Sequence, residues 1–173
     1  MVSINNIKKY LKEKLSKDRY IHTLNMSELA TKIAIYHKIK AIAKIRIASL
    51  LHDCEKNSKN GNNHSFLSSK MAKHKFCITD RKILDAIKYH TFGHRNMDII
   101  SKIIYISDMS EQSRKFKEAE QIRKLAFKNL DEAMLLAIST KLKYVIQDRK
   151  PVSLEGVILY NKLIKTVTGN SNG

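Results

Sequence analysis

The 173 residues contain one proline, Pro151, five glycines and no tryptophan. So few chain breakers exclude a turn-rich β fold and favour long helical segments. Cysteine is equally scarce. Cys54 and Cys77 form neither a CxxC pair nor a disulfide framework, so the expected setting is a reducing cytoplasm. No stretch approaches the roughly 18 uninterrupted apolar residues of a membrane span. The lysine-studded segment Met1 to Asp18 lacks the apolar centre of a signal peptide, so a soluble protein is expected. Acidic residues are also in deficit, 16 against 33 Lys and Arg, for a formal net charge of +17.

That excess has two readings. Clustered cations would neutralise phosphates and release counterions, as a nucleic-acid partner requires. Here the lysines are spread over nearly every segment, and aromatics do not alternate with them as on a single-strand binding face. Compositional drift is the better reading and nucleic acid is not the expected partner, although the positive field would still draw in a small polyphosphate.

Apolar residues recur at helical spacing along most of the chain. Ile4, Ile7, Leu11 and Leu15 mark a first helix, and Asp18 offers the cap of a second through Tyr20, Leu24, Ala30 and Ile33. A third is predicted from about Lys40 to Glu55, carrying His52 and Asp53 in its last turn. The polar run 57–63 reads as a loop, and His64 opens the next helix. Thr79 and Asp80 cap a fifth that ends near His90, before the turn 91–96. An isoleucine-rich helix from Ile99 reaches Asp108, and three more patterns follow at 118–127, 131–147 and 153–164. The expectation is one all-α domain of about eight or nine helices over residues 1–165, with a frayed tail over 166–173.

His22, His52, Asp53, His64, His90 and Asp108 each fall near a helix end, as residues converging on one mouth of a bundle would. Nitrogen and carboxylate donors without thiolates suit iron, manganese or zinc and leave positions open for water. Six ligands with one bridging carboxylate would suit two ions. His37 and His74 have no partner in this pattern and are expected at the surface. His94 reads as a surface turn histidine and Cys54 as packing.

The ordered set carries a resemblance. Arg19-Tyr20-x-His22-Thr23, His52-Asp53-x-x-Lys56, His64, Tyr89-His90-Thr91 and Lys102-Ile103-Ile104-Tyr105-x-x-Asp108 resemble the HD-domain phosphohydrolases. With Asp108-x-x-Glu111-x-x-Arg114-x-Phe116, Leu142-x-Tyr144 and Tyr160-Asn161, the chain is similar more narrowly to the YqeK-type symmetrical bis(5′-nucleosyl)-tetraphosphatases, over roughly Asp18 to Asn161.

The resemblance implies a single HD-domain bundle and a binuclear centre, iron first, with manganese, cobalt or zinc as alternatives. It implies symmetrical hydrolysis of diadenosine tetraphosphate to two ADP by a metal-activated hydroxide, and a homodimer. His22, His52, Asp53 and Asp108 would hold one ion, with Asp53 bridging to a second completed by His64 and His90. Lys56 and Arg114 would contact phosphate, with Glu111 and Thr91 beside the substrate. Such chemistry is coherent, because paired cations acidify water while basic side chains absorb charge developing on phosphorus.

Two features depart from the family. The stretch between Lys56 and His64 is shorter than usual, and no proline follows the last metal aspartate, around Gln112. Two other functions compete: an HD phosphohydrolase acting on (p)ppGpp or a nucleoside phosphate, and a basic helical RNA-binding module with a relic metal site.

Overall fold

A computed structural model of the chain describes residues 3–56 and 63–169. Within them the fold is all-α: α1 (Ile4–Lys14), α2 (Lys17–Tyr36), α3 (Ile42–Leu51), α4 (His64–Lys75), α5 (Arg81–Tyr89), α6 (Ile99–Ser110), α7 (Ala119–Ala126), α8 (Leu130–Gln147) and α9 (Leu154–Gly169). No strand occurs among the described residues. None of their helices is long and apolar enough to cross a membrane.

The bundle is arranged around α6, which packs on α2, α3, α5, α7 and α8. Its sequence explains this position. Ile100, Ile103, Ile104, Tyr105 and Ile106 are all buried, leaving no polar stripe, as befits a helix enclosed by neighbours. Ile99, at the first turn, stays exposed. On α2, Met26, Ala30, Ile33 and Ala34 close one side of this core; on α8, Ala133, Met134, Ala137 and Ile138 close the other.

Several boundaries differ from the sequence expectation. Ser16, not Asp18, caps α2, accepting from the Arg19 amide. α3 stops at Leu51, so His52 is its C-cap and Asp53 lies just beyond it rather than in the last turn. The cause is local: the Cys54 amide bonds to the Leu51 carbonyl and the Lys56 amide to that of Asp53. These three-residue steps tighten the chain as helix ends often do.

The tail expected to fray from Thr166 is helical as far as Gly169. Thr166 and Thr168 bond their hydroxyls back to the Lys162 and Ile164 carbonyls, and no breaker intervenes. Residues 170–173 of that tail, and most of the shortened loop at 57–62, lie outside the described residues. Asp80 caps α5 as expected, accepting from the amides of Lys82 and Ile83.

Candidate metal centre and active-site cleft

The six proposed ligands come from five places in the chain and meet at one point. α2 supplies His22 in its second turn, and the end of α3 supplies His52 and Asp53. His64 opens α4, His90 closes α5, and Asp108 lies in the last turn of α6. The donor atoms of His22, His52 and Asp53 all lie within 4.8 Å of one another, as do those of Asp53, His64 and His90. Asp53 is common to both groups.

Distances sharpen this. Asp53 Oδ1 is 3.3 Å from His64 Nε2 and 3.2 Å from His90 Nε2. Its other oxygen, Oδ2, faces His52 Nε2 at 3.6 Å. Asp108 Oδ1 lies 3.1 Å from His22 Nε2 and 3.8 Å from His52 Nε2. Ligands of an ion bound at about 2.1 Å stand roughly 3.0–3.5 Å apart, close to these spans.

The tautomers support a cation in this position. His52 Nδ1 donates to the Ser49 carbonyl at 2.7 Å, and His90 Nδ1 donates to the Ile87 carbonyl at 2.7 Å. A carbonyl only accepts, so each Nδ1 carries the proton and each Nε2 presents a lone pair. His52 Nε2 is buried with no hydrogen-bond partner. An orphaned lone pair beside two buried carboxylates is costly unless a cation completes it. The residues present therefore fit a metal site.

Charge follows the same logic. Burial opposes ionisation of Asp53, but His52, His64 and His90 hold its carboxyl well below the usual range. Asp108 likewise stays ionised against burial, held by His22, His52 and Arg114. Burial of His90 lowers its pKa and keeps it neutral. His22 has a raised pKa despite burial, because Asp108 faces one ring nitrogen and Glu111 the other.

Glu111, expected beside the substrate, is fully buried. Its Oε1 sits 3.0 Å from His22 Nδ1, and it also accepts from the Ser113 amide and hydroxyl. It fixes the ring of His22 rather than lining the cleft. Thr91 Oγ1 lies 3.0 Å from His64 Nε2 and 3.1 Å from His90 Nε2. Lys56 Nζ is 2.8 Å from Asp53 Oδ2, and Arg114 reaches both the Asp108 carbonyl and its Oδ1 at 2.7 and 2.5 Å. All ten site residues singled out from the sequence thus gather around one centre.

Three side residues are also placed. His37, expected at the surface, is half-buried and bonds the Ala126 carbonyl at 2.7 Å, fastening α2 to α7. His94 stacks on Tyr89 with ring centroids 4.3 Å apart. Cys54 is buried, its thiol pushed up to about 12 by that burial.

Over the centre opens a cleft of about 550 Å³, lined by Lys56, His64, Thr91, Asp108 and Arg114. α8 lines it too, with Lys141, Lys143 and Tyr144, as does Phe116. Lys141 gave no signal in the sequence, being one of 33 basic residues.

Comparison with known proteins agrees with this geometry. The family model of the HD domain matches residues 19–134, most of the chain. The protein belongs to the HD domain family. A symmetrical bis(5′-nucleosyl)-tetraphosphatase of Bacillus subtilis (strain 168) is 28% identical, over 89% of this chain and 94% of the relative. One of the same name from Staphylococcus aureus is also 28% identical, over 94% and 92%. A crystal structure of a predicted HD superfamily hydrolase involved in NAD metabolism, from Clostridium acetobutylicum, superposes with a TM-score of 0.87. That structure is 30% identical and matches 96% of this chain and 99% of its own. In this HD domain the six candidate ligands run from α2 to α6, and α8 lines the cleft above them.

Proposed function

We propose that this HD protein hydrolyses diadenosine tetraphosphate and related dinucleoside polyphosphates symmetrically, giving two ADP. The observation that carries the reading is Asp53, shared by two histidine groups beneath a cleft lined with basic side chains. The names of the relatives supply the substrate class.

His22, His52, Asp53 and Asp108 would hold one ion, and Asp53, His64 and His90 a second, with iron the first choice over manganese, cobalt or zinc. When bound, such a pair supplies Lewis acidity and a nucleophile at neutral pH. The chain's own groups do the rest. Lys56 and Arg114, anchored on Asp53 and Asp108, present their remaining donors to the phosphate being cut. Arg fits two phosphate oxygens through its planar fork, and Lys acts as a point charge. Thr91 bridges His64 and His90 and faces the same cleft, where its hydroxyl can orient a phosphate oxygen. Two unpaired cysteines support a reducing, cytoplasmic setting.

The test is iron-loaded, anaerobic incubation with diadenosine tetraphosphate beside (p)ppGpp and nucleoside triphosphates. ADP should be the dominant product. ATP plus AMP, or faster turnover of a guanosine polyphosphate, would overturn the symmetrical reading in favour of another HD phosphohydrolase activity.

A further inference from the structure

We propose that Lys141 binds a phosphate of the substrate beyond the bond being cut, an assignment that rests on the activity inferred above for the same cleft. Lys141 stands on α8, which carries none of the six proposed ligands, and lines the cleft with Lys56, Arg114 and Asp108. Lys56 pairs with Asp53 and Arg114 with Asp108, while Lys143, which also lines the cleft, is exposed to solvent. Lys141 has no ion-pair partner among the described residues, although its side chain is half-buried.

A partly desolvated ammonium with no direct ion pair is unfavourable where it stands. Burial lowers its pKa; Asp108 and Asp53 oppose that shift, while Lys56 and Arg114 reinforce it. An anion entering the cleft would supply the direct partner and offset the repulsion from Lys56 and Arg114. Position decides which part of the anion this is. Lys56 and Arg114 touch the ligand carboxylates and so lie over the reacting phosphorus. Lys141 makes no such contact and enters the cleft from α8, so its ammonium is free for a phosphate other than the one held over those carboxylates. Tyr144, three residues on and so on the same face of α8, lines the cleft beside it and is exposed enough to stack with a base.

Two variants, Lys141→Gln and Lys141→Arg, test this by steady-state kinetics and by calorimetric titration with ADP. A charge-assisted contact is worth about a tenfold change or more in affinity. In Lys141→Gln, KM for diadenosine tetraphosphate and Kd for ADP should both rise by that factor. kcat should stay within about twofold and metal content should be unchanged. Lys141→Arg should recover most of the affinity.

Unchanged KM and Kd would overturn the proposal. So would a fall in kcat and metal content at constant KM, which would make Lys141 a support of the metal site. If the wild-type protein binds ADP but does not cut diadenosine tetraphosphate, the proposed substrate fails. A weaker ADP titration in Lys141→Gln would then still uphold the phosphate contact.

Discussion

Asp53 gives each of its oxygens to a different histidine group, so removing it should remove more than one ligand's worth of function. Asp53→Ala is expected to lower turnover by roughly a thousandfold or more. Metal content should fall by at least one ion per chain, with helical circular dichroism retained. Retained turnover would take Asp53 out of the bridging role. Glu111 acts one step further out, through His22. Glu111→Gln keeps the volume but weakens the ring's anchor, and partners of metal ligands typically carry about 10–100-fold in affinity or activity. The loss should shrink when activity is assayed in excess metal; a loss indifferent to metal would place Glu111 elsewhere in the reaction. The ligands themselves could be found in the sequence because histidine and aspartate are rare donors recurring beside helix ends. The burial of Glu111 could not, since nothing local distinguishes a carboxylate turned inward onto His22 from one turned outward to water. Lys141 was hidden among similar lysines for the same reason: only the packing of α8 beside the cleft singles it out.

Among the helices, the ends carry the information. α5 is capped by Asp80, which accepts from two amides and also pairs with Lys44 on α3 at 2.7 Å. Asp80→Ala should cost about 1 kcal/mol, seen as a fall in Tm of roughly 2–4 °C. The pairing with Lys44, with the α5 amides, holds the Asp80 carboxyl below its ordinary value. A depressed carboxyl contributes stability above its unfolded pKa of about 3.9, and that contribution is lost as pH falls through the folded value. The difference in Tm between wild type and Asp80→Ala should therefore be full at pH 7 and shrink toward pH 3. The turn after α5 depends on Gly93, whose φ is +74° and whose missing Cβ would lie 2.6 Å from Leu159 Cδ2 on α9. Gly93→Ala should destabilise by about 1–3 kcal/mol and weaken activity too, because Thr91 and His90 hang from the same turn. Equal thermal stability in that variant would mean α9 yields freely. Helix existence was legible from apolar spacing and from Asp80. The end of α3 was not, because three-residue amide bonds from Cys54 and Lys56, not a glycine or proline, mark it.

For the molecule as a whole, the charge of +17 is best checked through rates. A positive field raises encounter with a polyanion and is screened beyond about 8 Å at physiological salt. kcat/KM should fall several-fold between 20 mM and 500 mM salt while kcat changes little; a flat profile would leave the excess lysine without a part in substrate capture. The fold class came through from composition and periodicity because an isoleucine-rich α6, buried along almost its whole length, needs helices around it.

His52 and His90 stand at the C-caps of α3 and α5, their rings held by main-chain carbonyls of those same helices. Their lone pairs are aimed by backbone that is already folded, so no ordering of the chain need accompany an ion's arrival. Entry and exit are then governed by access through the cleft and by shedding water. A receptacle fixed in this way accepts any ion of suitable size and donor preference. Which metal would fill it in the cell then turns on supply as well as on donor preference.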